Sequence, residues 1–284
     1  RRRSSQITRR VRDFRDRNGR HWPVSASWVA VAVLLLALVT SPPALAHVKW
    51  FAPYDVVCPP RPLFSVFTGG YFAMFCGIMV AVMFATAYID VWLIHRAHAL
   101  NRLLQRVTAF FEPNVFLLLR FGVFAFLVAV SYSGNILLTP ELKTDWAWVR
   151  WLQLVLAILV IHPKTAFLTS FGLCVLYGCA MHEYGWFHLL DYPIFIGVAI
   201  YLFIMSIYGE RKATLALTIL RVLTGVTLLW GGMEKFAYPD WSFPLLRQRP
   251  SLSFGFDPEF FMVAAGFVEF TAAFLVITVA IAAR

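Results

Sequence analysis

Apolar residues run through this chain in long stretches, separated by short polar and proline-bearing breaks. Several runs exceed about 18 residues, the length a helix needs to cross roughly 30 Å of hydrocarbon. Backbone immersed in lipid must satisfy its own N–H and C=O groups, so these runs are predicted as helices. The period-two alternation of a membrane barrel is absent. Spans are expected at 26–46, 64–92, 114–138, 147–161, 165–182, 192–208, 213–235 and 259–282, eight in all. The breaks are Glu112-Pro113-Asn114, Pro140-Glu141, His162-Pro163-Lys164, Gly209-Glu210-Arg211-Lys212 and the proline-rich stretch 239–258. The expected fold class is all-α, a polytopic transmembrane helical bundle.

Composition agrees with the pattern. Of 284 residues, 60% are hydrophobic and 14% charged, with a mean hydropathy of +0.70. A soluble domain of this length would need far more polar surface to cover its core. The 27 Phe and 10 Trp read as lipid-facing bulk and interfacial belts. The net charge of +10 raises the question of nucleic acid, because nine arginines lie within the first twenty residues. No recognition fold follows that tail. It reads instead as a cytoplasmic anchor on anionic headgroups beside the first span.

With the N-terminus inside, sixteen Lys and Arg fall in cytoplasmic segments and six on the opposite side. Arg120, Arg150 and Arg221 lie near span ends, where they are expected to snorkel. The expected location is a bacterial cytoplasmic membrane. The first span ends in Ala44-Leu45-Ala46, which also fits a signal-peptidase site and would leave His47 as a mature N-terminus able to chelate copper. The long basic region before it favours a retained helix. The chain opens on Arg rather than Met, so its natural start is expected upstream.

Two segments look alike. Arg120-Phe121-Gly122-Val123 opens a span that ends near Pro140 and Asp145-Trp146, and Arg221-Val222-Leu223-Thr224-Gly225-Val226 opens one that ends at Pro239-Asp240-Trp241. This suggests a repeated four-helix unit. The organisation read from the chain is a basic tail (1–25), two helices with an external loop (26–112), a first four-helix unit (113–210) and a second unit (211–284) expected to be incomplete at Arg284.

The second unit carries a family resemblance. The stretch from Arg221 through Trp230-Gly231-Gly232-Met233-Glu234-Lys235-Phe236 to Pro239 resembles the first helix of DoxX-like membrane proteins: an arginine at the cytoplasmic start, a small residue mid-helix, then Gly, Lys and Pro at the far end. The next helix carries Gly266 and Glu269, similar to that family's helix with glycines and an acid. The match is strongest over 214–275. The earlier unit is similar in outline and has Ser133-Gly134-Asn135 where the family has Gly-x-x-Lys. Membership implies a four-helix bundle per unit and work beside membrane-bound redox systems, including quinone reduction coupled to thiosulfate oxidation.

Candidate chemistry lies mainly on the external side. Met181-His182-Glu183-Tyr184-Gly185-Trp186-Phe187-His188-Leu189-Leu190-Asp191-Tyr192-Pro193 links spans without a Lys or Arg. His188 and Asp191 are three apart, so a helical turn would put them on one face. His182, His188 and Asp191 suit proton transfer to a quinone, with Trp186 and Tyr192 beside it, or a transition-metal site. His47 with His182 and His188 would make a copper-type site. The plain alternative is an interfacial loop among headgroups. Glu234-Lys235 closes one span, while Glu269 lies eleven residues into the next, near mid-membrane. A carboxyl there must be protonated or paired, with Lys235 the cation in reach.

Cys76, Cys174 and Cys179 sit in apolar segments, Cys58 sits alone in a loop, and no CxxC occurs. The sequence has no haem or iron–sulfur signature, so electrons would have to come from a protein partner. Three readings stand: a quinone-linked redox subunit, a metal-binding membrane protein, and a scaffold without chemistry.

Overall fold

The computed structural model describes residues 58–95 and 111–282. The expected span 26–46 and His47 lie outside them. The described residues form nine α-helices: α1 (Leu63–Phe67), α2 (Gly70–His95), α3 (Val115–Tyr132), α4 (Trp148–Ile161), α5 (Ala166–His188), α6 (Pro193–Tyr208), α7 (Ala213–Ala237), α8 (Pro239–Gln248) and α9 (Pro258–Ala282). They contain no strand, and their one β-bridge joins Ile136 to Lys143. Four helical stretches are long and apolar enough to cross a membrane: 70–89, 115–132, 193–237 and 258–278. The third contains both α6 and α7, which turn back on each other at Gly209 (φ +57°). Large apolar side chains such as Phe84, Trp151, Ile158 and Val268 are exposed on the helices, as lipid-facing residues are.

Helices α3, α4, α5 and α6 pack in sequence, and α6 returns to touch α3. Their core includes Leu127, Val149, Leu156, Leu173, Leu176 and Leu202. Helix α7 then packs on α6, α9 on α7, and α2 on α9. The α7–α9 contact is built on glycine. A Cβ at Gly232 would stand 2.9 Å from the carbonyl oxygen of Gly266, and one at Gly266 3.2 Å from that of Gly232. Only hydrogen at both positions lets the two backbones approach this closely.

Several expected boundaries shift. Helix α3 stops at Tyr132 instead of running to 138, because Gly134 takes φ +112° and turns the chain. The apolar residues that suggested a longer span, Leu137 and Leu138, are buried together with Leu142 in a non-helical lid over the bundle. The expected span 64–92 is interrupted at Thr68 and Gly69. The proline-rich stretch 239–258 contains a ten-residue helix, α8. At 14 residues, α4 spans only about 21 Å.

Arg120 does not snorkel. It is buried, donates from Nη1 to the carbonyl of Ile161 at 2.8 Å, and lies 4.8 Å over the Phe116 ring. Ile161 is the last residue of α4, so the guanidinium caps the negative end of that helix. Arg120→Met should therefore lower stability by about 1–2 kcal/mol. Thermal unfolding of the detergent-solubilised protein checks this, and an unchanged midpoint would remove the cap from the account.

Candidate functional site

The links at the ends of α3, α5 and α7 all meet one face of the bundle, since successive helices alternate in direction. Helix α5 reaches that face and breaks at Gly185 (φ 82°, ψ 160°). Glycine alone adopts this conformation without strain. After one more helical turn, residues Leu189–Asp191 form a 3₁₀ turn, and Pro193 opens α6 with its φ already set. The break sends neighbouring side chains in different directions. Trp186 is 68% exposed, edge-on to the ring of Phe187. Phe187 packs edge-on against Trp230 of α7 and near Tyr238 and Trp241. His188 turns inward, its side chain only 5% exposed.

What His188 meets there is Glu141, on the lid. Glu141 has a side chain 7% exposed, and its Oε1 lies 3.2 Å from His188 Nε2. The same oxygen accepts a hydrogen bond from the hydroxyl of Tyr192, itself buried. Glu141 Oε2 is buried and has no hydrogen-bond partner among the described residues. Tyr184 closes the side of the cluster: its ring lies 5.5 Å from the His188 ring, and its hydroxyl donates to the Lys143 carbonyl at 2.6 Å. Asp191 is buried in the adjoining turn.

The lid is held to the helices at several points. Gln153 of α4 donates to the carbonyls of Ile136 and Leu137 at 2.6 and 3.0 Å, and Thr144 donates to Glu183 at 2.8 Å. A carboxyl, an imidazole and a phenol in van der Waals surroundings form a unit that can hold a proton and hand it on.

His182 belongs elsewhere. It precedes the Gly185 break and is exposed, 6.3 Å from the Trp146 ring. It lines an open cleft of about 560 Å³ with Lys143, Asp145 and Glu183. The two imidazoles therefore do not share the expected site. No group of three or more His, Cys, Asp or Glu able to hold a metal occurs among the described residues.

The second polar centre lies between α7 and α9. Lys235 Nζ donates to both oxygens of Glu269, at 2.8 and 2.7 Å, and to the Gly231 carbonyl at 3.1 Å. The side chains are 12% and 30% exposed. Lys235 does reach inward, so the carboxyl inside the membrane segment is paired. Glu234, one residue earlier, points to the other side of α7 and is buried, accepting a hydrogen bond from Trp230 Nε1 at 2.8 Å. Nearer the face, Arg61 forms a two-pronged ion pair with Glu259 at 2.5 and 3.0 Å, and its backbone N–H donates to the Ala237 carbonyl. The Glu259 carboxylate raises the Arg61 pKa above its ordinary value, so this strap between the start of α1 and α9 stays charged.

Sequence reasoning thus grouped His188, Asp191 and Tyr192 in one external segment, which the structure buries, and named Lys235 as the cation within reach of Glu269. It missed Glu141, treated above only as a chain break. The available signal was a single acid inside Leu137-Leu138-Thr139-Pro140-Glu141-Leu142, a run too apolar for an exposed loop. Comparison of the chain with family models, curated proteins and solved structures returns no match.

Proposed function

We propose that this chain is an integral membrane subunit of a bacterial quinone-linked redox system, with Glu141, His188 and Tyr192 exchanging protons at the external face of the cytoplasmic membrane. The observation that carries this reading is the buried carboxyl of Glu141, bonded through one oxygen to both the imidazole and the phenol. A carboxyl and an imidazole excluded from water gain from holding a proton between them, since an unpaired charge there is costly. The second oxygen, Oε2, leaves one acceptor position open to a ligand or a proton. A quinone, when bound, takes two electrons from a partner oxidoreductase of the membrane together with two protons. The chain's own part is to seat the ring, exclude water and supply the protons.

The orientation rests on the Lys and Arg bias, which puts the Glu141 cluster outside. In this reading the protein has eight spans, the seven longer apolar segments from α2 to α9 plus 26–46. Helices α3–α6 form the first DoxX-like unit, and α7 with α9 begins the second.

The test is retention of quinone by the protein purified in mild detergent. His188→Ala and Glu141→Gln should each lower quinone affinity about 10- to 100-fold, as loss of a charge-assisted hydrogen bond does. Wild-type levels of bound quinone in both variants would leave only the scaffold reading.

A further inference from the structure

The link from α7 to α9, on the face that also carries Glu141, ends in the loop Arg247-Gln248-Arg249-Pro250-Ser251-Leu252-Ser253-Phe254-Gly255-Phe256. Phe254 is the only non-glycine with a positive φ among the described residues (φ 54°, ψ 28°). A bulky side chain keeps that left-handed conformation only where its surroundings compel it. Here the loop's own bonds do so. The N–H groups of Phe254 and Phe256 donate to the carbonyls of Ser251 and Ser253 at 3.2 and 2.9 Å, and the Ser253 hydroxyl donates to the Pro250 carbonyl. The strain brings the ring little burial within the protein, since Phe254 is 81% exposed and Phe256 55%. Their rings lie 6.5 and 5.3 Å from those of Phe261 and Phe260 in the first turn of α9, where the apolar stretch 258–278 begins. Both rings thus stand at the level where headgroups give way to hydrocarbon.

The charge beside these rings is of one sign. Arg247, in the last turn of α8, and Arg249, just after it, are exposed. Neither makes an ion pair or a side-chain hydrogen bond with another described residue. The acids nearest in sequence are engaged elsewhere. Asp240 accepts from Cys58 Sγ at 3.3 Å, Asp257 from the Phe260 N–H at 3.0 Å, and Glu259 from Arg61.

We infer that this loop is a lipid-docking site, in which Arg247 and Arg249 bind the phosphate of an anionic phospholipid while Phe254 and Phe256 enter the acyl region of the same leaflet. The inference is independent of the quinone reading. Guanidinium groups suit a phosphodiester because their N–H donors lie in one plane and their charge is permanent. A zwitterionic lipid offers the same phosphate with a cation beside it, so a headgroup of net negative charge is preferred. Burial of the two rings among acyl chains offsets the strain at Phe254. An acidic protein surface would also meet the arginines, but rings at the hydrocarbon boundary already have an apolar medium within reach.

The experiment replaces Phe254 by the photoreactive p-benzoylphenylalanine in the full chain, reconstituted into vesicles of phosphatidylglycerol and phosphatidylcholine in equal parts. After illumination, mass spectrometry identifies what the label has captured. A phospholipid adduct is expected, with phosphatidylglycerol exceeding phosphatidylcholine about tenfold. Arg247→Gln combined with Arg249→Gln should bring the two lipids to equality while the adduct persists. The same label at Phe84, exposed midway along α2, should capture lipid without headgroup preference. Elution as a single sharp peak verifies folding, and a label at Phe256 carries the same test should the one at 254 disturb the loop. Capture of lipid at 84 but not in the loop overturns the site, as does a crosslink from the loop to another protein. A preference that is absent, or that survives loss of both arginines, overturns the role given to them. Inorganic phosphate at matched ionic strength should leave the ratio unchanged, and its erasure would make this a site for free anions instead of lipid.

Discussion

Lys235→Met should lower the stability of this protein by about 3–5 kcal/mol, while Lys235→Met combined with Glu269→Gln should recover most of that loss. Both oxygens of Glu269 accept from the Lys235 ammonium, and the Gly231 carbonyl accepts a third hydrogen bond from it. Removing the amine strands a carboxylate about 16 Å along α9 from its first residue, where lipid surrounds the helices. Replacing both charges removes the stranded ion along with its partner. The pair is a sound candidate for such a cycle because the two residues meet directly across the α7–α9 contact. Midpoints of thermal unfolding in one detergent, compared across the wild type, both single variants and the double variant, give the coupling. Equal midpoints for Lys235→Met and the double variant would mean that Glu269 carries no charge in the folded protein, and the ion-pair account would fall.

Gly232→Val ranks second. Its Cβ would press within 2.9 Å of the Gly266 carbonyl oxygen, which is backbone and cannot rotate away. Relief requires α7 and α9 to separate, at a cost of about 3 kcal/mol, the upper end for overpacking. Separation also lengthens the Lys235–Glu269 contact on the same helix pair. Gly122→Ala, placed where an added methyl meets nothing, should leave the midpoint within about 0.5 kcal/mol of wild type. Similar midpoints for the two variants would show that the close α7–α9 approach contributes nothing to stability.

Much of the helical plan was legible because lipid makes the rule simple: a long apolar run must satisfy its own backbone. The ends of α4, α6, α7 and α9 fall within about two residues of the expected breaks, each marked by Pro, Gly or a charged cluster. The rule fails where apolar residues are buried by protein instead of lipid. Leu137 and Leu138 look like the tail of a span, yet Gly134 has already turned the chain and they pack beneath a loop. Arg120 looked like an interfacial cation because spacing cannot reveal that α4 ends beside it.

The site was legible in halves. Lys235 and Glu269 could be paired from helix direction and depth alone. Glu141 and His188 are 47 residues apart, joined by a lid fold and a positive-φ glycine that no periodicity encodes. Six residues apart, His182 and His188 would point differently on a continuous helix, and the break at Gly185 does not bring them together.

The lid between α3 and α4 has a further meaning. Its backbone is pinned from below by Gln153, its flank by Tyr184 and Thr144, and its leucines are sunk in the bundle. An interhelical connection is ordinarily the place where a chain tolerates length changes. Here one inserted residue would slide Glu141 out of register with its partners, so this short irregular stretch is as intolerant of indels as any buried helix turn.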